Sequence, residues 1–538
     1  MISLIAADAQ HPALSEVSGQ ESCGVTLIIV PPALLGTWEE ELATHVVPQT
    51  LLWRLHHGKC RLSDISELED SKLVLTTYHT VSAEWRNGTG LESSILFTTR
   101  WRRVVLDEAH FIRNRESQMA RAVCAIESVS RWAVTGTPLQ NHLNDLSALV
   151  KFLGVYPYSE KRVFDGDISR HWKDGNADEA VKRLKRLAGC LVLRRPKGTV
   201  QLPPRRDQVC HVEFVPEERD LYNQVRTRAI ERLDQALVQG SSFTSVLQQI
   251  EAMRLVCNLG LLYPTRHDVS SANKWPETSQ SALNLCLQMS GIQCHNCSCN
   301  LDASLYDTGS SRAFFAQCLR FICPNCVRGR PQCGHDPPCA IAPVSTSASS
   351  LEEPPLSTSL GGGCTSAYRP TKVRALVEDL QAVPGHVKCV VFSTWRMTLD
   401  VVEAGLIQAG ISTLRFDGKV PQRDRQSVID RFRNDPSSRV LLLTLSCGAV
   451  GLTLTVASRA YLMEPHWNPT LEDQALARIH RIGQRQEVTT VRFYVRDSFE
   501  VNVVNNQQCK RDLASILLAP SGTAVDNAGH LQRLRALI

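Results

Sequence analysis

Short apolar runs that end in polar or small residues, separated by longer helix-periodic stretches, constrain the fold of this chain more than any other feature. Early in the chain these runs are TLIIV (Thr26–Val30), LVLTT (Leu73–Thr77), RVVLDE (Arg103–Glu108) and RWAVTG (Arg131–Gly136). Helical patterns lie between them, at Leu35–Val46 and Gln118–Val129. Buried strands that alternate with helices predict a parallel sheet in an α/β fold. Ligands of such sheets bind beyond the carboxyl ends of the strands, so we expect functional residues there.

A second α/β unit begins near Thr371. Its predicted strands are Lys388–Thr394, Ser412–Gly418, Arg439–Leu445, Arg459–Glu464 and Thr489–Val495. Between the two units lie a helix-periodic stretch (Val212–Val256), a cysteine-rich stretch (Cys294–Cys339) and a Ser/Pro/Gly-rich stretch (Ile341–Gly363). The predicted domains are a first lobe (1–200), a helical bridge (201–285), a cysteine-rich insert (286–340), a linker (341–370) and a second lobe (371–538).

Composition limits the class of protein. The 538 residues correspond to three or four domains of about 150 residues. A hydrophobic fraction of 43% and a charged fraction of 21% are typical of a globular protein with a sizeable core. No apolar run approaches the roughly 20 residues that span a bilayer, which argues against a membrane protein. The net charge of +5 permits a nucleic-acid partner without indicating one.

Two neighbouring carboxylates, Asp107 and Glu108, directly follow a predicted strand. Phosphoryl transfer needs an acid that holds magnesium and a second group that orients the attacking water. Asp107 suits the first role and Glu108 the second. An isolated pair of this kind is more often a solvated turn. Here Thr135-Gly136-Thr137-Pro138 follows the next strand, and this order favours a nucleotide site over two unrelated turns.

With these segments the chain resembles the Swi/Snf-type ATPases of helicase superfamily two. The resemblance rests on TLIIVPPALLGTW (Thr26–Trp38), LTTYHT (Leu75–Thr80), the DEAH and TGTPLQN segments, Leu193-Arg194-Arg195 and Leu202-Pro203-Pro204. It extends to about Val495 and implies two RecA-like parallel-sheet lobes, joined by the helical bridge, that close on ATP and track double-stranded DNA through its phosphates.

The strongest motif lies in the second unit, where Glu472–Gln484 ends in HRIGQ. Gln474, Arg478 and Arg481 have the spacing of one helix face, and Gly483 is placed to end that helix. Two guanidinium groups on one face can neutralise charge that develops on a γ-phosphate. The alternative, a solvated basic helix, holds for most arginine pairs, but HRIGQ is specific to the Swi/Snf-type group.

The resemblance also assigns roles to further residues. The residues that it assigns to nucleotide binding or coupling are His110, Thr135, Gly136, Thr137, Gly448, Gly451 and Gln474. Contacts with DNA fall to Pro31, Thr76, Thr77, Ser393, Thr394 and Ser446. The sequence departs from the family at Ala449 and Thr453, where relatives tend to carry glycine and asparagine.

The phosphate loop of the family, G-x-x-x-x-G-K-[ST], does not occur in this sequence. The Gly58-Lys59 and Gly418-Lys419 pairs lack the required Ser or Thr. In relatives the loop precedes a helix similar to Met1–Ala7, so we expect the sequence to begin just downstream of it, through a truncated gene model or an internal start. A genuine loss of the ATPase is the alternative.

Eight cysteines lie between Cys294 and Cys339. The pairs Cys294/Cys297 and Cys323/Cys326 have the spacing of tetrahedral zinc sites. The remaining candidate ligands are Cys318, Cys333, His335 and Cys339. The segment resembles the RING finger of the helicase-like transcription factor and post-replication-repair branch, which implies bound zinc and a ubiquitin-conjugating enzyme as a partner. Arg320 replaces an expected histidine, and the last pair is irregular.

The sequence therefore predicts a nuclear, DNA-dependent ATP hydrolase and translocase with ATP, magnesium and zinc as cofactors and double-stranded DNA or chromatin as partner. Its expected setting is chromatin remodelling or DNA repair. The alternative is a non-hydrolysing scaffold that binds DNA or chromatin, since the phosphate loop is absent.

Overall fold

The structure is a computed structural model in which the chain forms two compact units. One comprises residues 1–194 with 510–538, and the other residues 195–509. The described residues are 1–10, 23–47, 50–86, 94–136, 144–174, 177–194, 199–239, 243–263, 279–280, 283, 292, 294–296, 313–316, 318, 320–327, 339–345, 368–417, 420, 422–448 and 451–518. Each unit is built on its own parallel sheet.

The first unit holds a five-stranded sheet in the order β2-β3-β1-β4-β5. Its strands are β1 (Thr26–Val30), β2 (Trp53–His56), β3 (Leu73–Thr77), β4 (Trp101–Leu106) and β5 (Ser128–Ala133). Its helices are α1 (Ile2–Gln10), α2 (Leu35–His45), α3 (Tyr78–Arg86), α4 (Ile95–Thr98), α5 (Gln118–Cys124), α6 (Asn144–Leu153), α7 (Lys161–Phe164), α8 (Arg170–Lys173) and α9 (Ala177–Leu191). β1 and β3 are buried along their whole length because neighbouring strands cover both edges and helices cover the sheet.

Two elements of this sheet differ from the sequence prediction. The helix predicted for Gln118–Val129 ends at Cys124, and Ser128 already begins β5. Parallel pairing with β4 takes these residues into the sheet, with Trp101 opposite Ser128 and Leu106 opposite Ala133. The edge strand β2 was not predicted, because its residues WRLH carry no continuous apolar run.

The second unit holds a six-stranded sheet in the order β11-β12-β10-β13-β14-β6. Its strands are β6 (Arg205–Val212), β10 (Cys389–Ser393), β11 (Thr413–Phe416), β12 (Val440–Thr444), β13 (Arg459–Leu462) and β14 (Val488–Val495). The helices are α10 (Pro216–Gln239), α11 (Phe243–Leu259), α12 (Thr371–Ala382), α13 (Arg396–Gln408), α14 (Gln422–Asn434), α15 (Leu445–Gly448), α16 (Pro469–Leu476) and α17 (Glu500–Leu518), the last of which runs on beyond the unit boundary.

The region predicted as a helical bridge is part of the core of this unit. Its strand β6 pairs with β14 from Arg205↔Val488 to Val212↔Val495. Tyr222 of α10 and Val256 of α11 belong to the same buried cluster as Val373 and Phe493. α10 and α11 confirm the helical periodicity of Val212–Val256, but their apolar faces pack on the second sheet.

Three short strands form a separate antiparallel sheet in the order β8-β7-β9. They are β7 (Ala313–Ala316), β8 (Phe321–Ile322) and β9 (Ile341–Val344), and β9 falls in the stretch that the sequence assigned to the linker. Phe315, Phe321 and Val344 share a small core with Cys294 and Cys323. Among the described residues, no helix is long and apolar enough to cross a membrane.

Candidate functional site

The carboxyl ends of three neighbouring strands in the first unit are tied together by backbone hydrogen bonds. The Asp107 amide donates to the Ile29 carbonyl over 3.0 Å, and the Val134 amide donates to the Leu106 carbonyl over 2.8 Å. The Ala109 amide then donates to the Val134 carbonyl over 2.9 Å. Asp107 and Glu108 therefore lie beside the segment that leads into Thr135 and Gly136, as predicted from the strand order; Thr137 lies outside the described residues.

The Asp107 side chain is fixed from two sides. The Trp38 indole Nε1 donates to Oδ2 over 2.7 Å, and the Glu108 amide donates to Oδ1 over 3.0 Å. The Tyr78 hydroxyl donates to the Asp107 carbonyl over 2.8 Å. Burial, with smaller contributions from the charges of Asp107 and Glu108, raises the pKa of Tyr78 well above its ordinary value, so its phenol keeps its proton and donates. The sequence analysis missed both Trp38 and Tyr78, although both lie in segments quoted for the family resemblance.

Glu108 has a left-handed backbone, with φ 48° and ψ 51°. This conformation costs a non-glycine residue about 1–2 kcal/mol. Its carboxylate oxygen Oε2 lies 3.2 Å from Nδ1 of His110, and both side chains are about one-fifth exposed. Backbone strain of this kind is concentrated at functional sites, where the surrounding structure imposes it. The Glu108 carboxylate thus lies beside His110, the last residue of the DEAH segment.

The side chains predicted to contact DNA at the ends of β1 and β3 are not exposed. Pro31, Thr76 and Thr77 are buried. The Thr76 hydroxyl donates to the His56 carbonyl over 2.8 Å, and the Thr77 and Thr80 hydroxyls are 3.0 Å apart. These hydroxyls therefore have partners within the first unit, in β2 and α3. Any phosphate contact here would fall to neighbouring backbone groups, because the predicted side chains face inward.

At the end of β10 in the second unit, one of the predicted DNA-contacting residues is buried and its neighbour is more open. Ser393 is fully buried, and its hydroxyl donates to the Glu464 carboxylate over 3.0–3.1 Å. Glu464 follows β13 and also accepts a hydrogen bond from the Thr394 amide. Burial raises the pKa of Glu464, and the hydrogen bond from Thr394 partly offsets that rise. Thr394 is more open than Ser393, and Ser446 lies within α15.

The two glycines that the sequence analysis singled out in this unit differ in what requires them. A Cβ on Gly448 would lie 2.6 Å from Cε1 of Phe392, so close packing against β10 demands glycine there. Gly451 has φ 54°, a left-handed conformation that favours glycine. Packing explains the first glycine and backbone conformation the second, and neither reason requires a bound nucleotide.

The arginine pair lies beyond the helix on which it was predicted. α16 ends at Leu476, so Gly483 does not end it and Arg478 and Arg481 follow in turns. Gln474 remains within α16, half-buried. The helix loosens because the amides of Arg478 and Ile479 bond three residues back. The Gln484 side chain then holds the turn: its Nε2 donates to the Ala457 and Ile479 carbonyls over 2.9 and 3.1 Å.

Three cysteines of the insert could hold a metal ion. The sulfur atoms of Cys294, Cys323 and Cys326 lie within 4.8 Å of one another. The Cys323 amide donates to Sγ of Cys294 over 3.3 Å. Cys318 and Cys339 are described but are not members of this group, and Cys297, Cys333 and His335 lie outside the described residues. A cluster of thiols at this separation suits zinc.

Two α/β units, each with a parallel sheet, and adjacent acids at the carboxyl end of a strand in the first form the architecture that the sequence predicted. The family model "SNF2-related domain" matches residues 1–260, and "Helicase conserved C-terminal domain" matches residues 371–483. The chain belongs to the SNF2-type, helicase-like proteins, which confirms the resemblance found in its sequence.

Curated relatives match most of this chain. A putative SWI/SNF-related matrix-associated actin-dependent regulator of chromatin from Arabidopsis thaliana is 34% identical, covering 91% of this chain and 56% of the relative. DNA repair protein RAD5A from the same plant is 30% identical over 91% and 50%. The human helicase-like transcription factor is 30% identical over 96% and 52%. The chain thus spans about half the length of these relatives.

Among solved structures, the Sulfolobus solfataricus SWI2/SNF2 ATPase core in complex with dsDNA is similar at 19% sequence identity and a TM-score of 0.32, covering 96% of this chain and 89% of that one. A TM-score of 0.32 does not bear on the family assignment.

Proposed function

We propose that this chain is the motor core of an ATP-dependent double-stranded-DNA translocase that acts in the nucleus, in chromatin remodelling or DNA repair. The observation that carries the proposal is the pair Asp107 and Glu108, fixed at the end of β4 beside the segment that leads into Thr135. The relatives named for chromatin regulation and DNA repair support the biological setting.

We assign each acid a distinct task. Asp107 would hold magnesium, because its carboxylate is held by Trp38 and by the Glu108 amide at the edge of the sheet where ligands bind. Bound magnesium neutralises phosphate charge during transfer. Glu108 would orient the attacking water, and His110 lies beside its carboxylate. Arg478 and Arg481 would supply positive charge to the γ-phosphate.

ATP hydrolysis with and without double-stranded DNA tests this proposal. The 538-residue chain is compared with a form extended by any in-frame codons upstream of Met1 that encode a phosphate loop. Glu108→Gln should abolish DNA-stimulated hydrolysis by the active form and leave DNA binding intact, and Arg481→Ala should act in the same direction. The control is Glu116→Gln, an exposed acid 3.7 Å from Lys161. Unchanged hydrolysis in Glu108→Gln would refute the assignment.

A second candidate function is a non-hydrolysing DNA or chromatin scaffold. It applies if the complete protein has no G-x-x-x-x-G-K-[ST] loop, a motif that these 538 residues do not contain. DNA binding by both forms of the chain, with hydrolysis in neither, would establish the scaffold. In both cases binding should be independent of base sequence and should weaken steeply with salt, because phosphates provide the contacts.

We further propose that Cys294, Cys323 and Cys326, with Cys297 as fourth ligand, bind zinc in a RING-like insert whose partner is a ubiquitin-conjugating enzyme. The three clustered sulfur atoms support the zinc site. Metal analysis of the purified chain should find zinc, and Cys323→Ser should release it. Cys60→Ser, at an exposed cysteine of the first unit, serves as the control. A folded insert without metal would contradict the site.

A further inference from the structure

The chain leaves the core of the second unit after α11 and returns to it at α12, and hydrogen bonds join the two crossing points. The Leu261 amide donates to the Tyr368 hydroxyl oxygen over 2.9 Å, although the two residues are 107 positions apart. The Tyr368 hydroxyl in turn donates to Oε1 of Glu218, in α10. The Thr371 amide donates to the same oxygen over 3.1 Å, and the Thr371 hydroxyl donates to Oε2. These four residues are called the clasp below, and residues 264–367 are called the inserted region.

The polar groups at the centre of the clasp all have partners. Glu218 is 1% exposed, and both of its carboxylate oxygens accept hydrogen bonds. Burial, together with the hydrogen bond to Glu218, raises the pKa of Tyr368 well above its ordinary value, so its phenol keeps its proton and donates. Opening the clasp would take these donors away from a buried carboxylate, which is costly. We therefore expect the clasp to stay closed when the inserted region opens.

Gly260 allows the two crossing points to approach this closely. It has φ 52°, a left-handed conformation that favours glycine. A Cβ on Gly260 would overlap the Tyr368 hydroxyl oxygen and would lie 2.5 Å from Oε1 of Glu218. The backbone conformation and the close contact both require glycine at this position.

The inserted region has a closure and a core of its own. The Gln280 side chain bonds both backbone groups of Ser345: its Nε2 donates to the carbonyl over 3.1 Å, and its Oε1 accepts from the amide over 2.8 Å. Phe315 and Phe321 belong to a buried cluster that, among the described residues, shares no member with the two clusters on the second sheet. Each of the two cores therefore has its own closure.

We propose that the clasp isolates the core of the second unit from the inserted region, so that the inserted region opens or rearranges without loosening α11 and α12. Parts of a protein with separate cores open as separate cooperative units. The clasp supplies the fixed boundary between two such units, because it holds the chain at both points where it crosses from one to the other. The isolation requires neither bound metal nor DNA.

The test disturbs the core of the inserted region with the clasp closed and with the clasp weakened. Phe315→Ala removes a fully buried ring from that core and leaves every cysteine in place. The change is made in the parent chain, in Tyr368→Phe and in Tyr222→Phe. Tyr222→Phe is the matched control, because its buried hydroxyl also accepts a backbone amide, from Phe499 over 2.8 Å, but lies outside the clasp.

Amide hydrogen exchange is measured on the full chain in peptides from 313–322 and from 371–382. In the parent and in Tyr222→Phe, Phe315→Ala should speed exchange in 313–322 roughly a hundredfold and leave 371–382 unchanged. In Tyr368→Phe, the same change should also speed exchange in 371–382, by about tenfold relative to Tyr368→Phe alone. Faster exchange in 371–382 in the parent chain would overturn the inference, and so would unchanged exchange there in Tyr368→Phe.

Gly260→Ala weakens the clasp by another route and keeps the test decisive if Tyr368→Phe fails to fold. It should likewise allow Phe315→Ala to speed exchange in 371–382. Gly410→Ala is its control, because Gly410 has φ 71° but a Cβ there would meet no atom of the described residues within 4 Å. Equal responses in the two glycine variants would contradict the role of the clasp.

Discussion

At the scale of single residues, the left-handed backbone of Glu108 leads to a stability prediction that separates strain from chemistry. Alanine and glycine both remove the carboxylate, but glycine adopts φ 48° without the steric cost of a Cβ. Glu108→Gly should therefore be more stable than Glu108→Ala by about 1 kcal/mol in denaturant-induced unfolding.

Glu116 provides the comparison for this pair of variants. It is exposed, and it is not among the described non-glycine residues with a positive φ, which are Glu108 and Asp497. Glu116→Ala should be at least as stable as Glu116→Gly, because glycine loses more entropy on folding. Alanine favoured over glycine at both positions would show that Glu108 is not strained.

The hydrogen bond from Trp38 to Asp107 leads to a second prediction at this scale. Trp38→Phe keeps an aromatic ring but removes the donor that lies 2.7 Å from Oδ2. A hydrogen bond to a charged group contributes about 1.5–3 kcal/mol. The free energy of unfolding should fall by that amount, measured by denaturant titration. Trp85→Phe, at a ring packed 5.4 Å from Phe97, should cost less. Equal losses would mean that ring size alone matters.

At the scale of elements, α1 is anchored to β4 by Asp8. Its carboxylate lies 3.3 Å from Nη2 of Arg102 and 2.9 Å from Nη2 of Arg103. Burial raises the pKa of Asp8, but hydrogen bonds from both arginines outweigh that effect and leave the pKa lowered overall. A lowered pKa means that the stabilisation is complete above the unfolded value of about 4 and is lost as pH falls through the folded pKa.

We therefore expect Asp8→Asn to reduce the free energy of unfolding by about 1 kcal/mol at pH 7. The difference from the parent chain should shrink as pH falls below about 4, because the parent carboxylate is then protonated as well. Unfolding curves at a series of pH values measure this. Asp70→Asn, at an exposed acid, should show no such pH-dependent difference. A difference for Asp8→Asn that is constant with pH would contradict an electrostatic anchor.

Elements with a continuous apolar run were predictable from sequence, and others were not. β1 and β3 have the predicted bounds because their five residues are all buried. β6 has only one buried residue, Val212, and β2 only His56, so neither shows a run. The helix predicted to reach Gly483 stops at Leu476, and side-chain bonds from Gln484 to the Ala457 and Ile479 carbonyls hold the turns that follow.

At the scale of the whole molecule, the boundary of the second unit can be tested with fragments. A fragment of residues 199–518 retains β6, α10 and α11, whereas one of residues 371–518 loses them. In the shorter fragment, the buried cluster around Val373 and Phe493 lacks Val212, Tyr222 and Val256. Lys372 also loses its bond to Asn258.

We expect the longer fragment to unfold cooperatively with heat. The shorter one should bind a hydrophobic dye and unfold without a sharp transition, because part of its core is exposed. Circular dichroism melts and dye fluorescence measure the two properties. Cooperative unfolding of the shorter fragment would mean that the predicted bridge is a separate domain after all.

The sequence by itself determined the α/β class, the parallel sheets of both units and the placement of Asp107 and Glu108 at a strand end. These follow from apolar runs and from residues next to them in the chain, which are local patterns. Tertiary structure alone decided that Trp38 binds Asp107 across 69 positions, that Asn258 binds Glu464 across 206, and that Arg254 lies between two tryptophans. Such pairings depend on how distant elements pack, and no short-range pattern of residues encodes them.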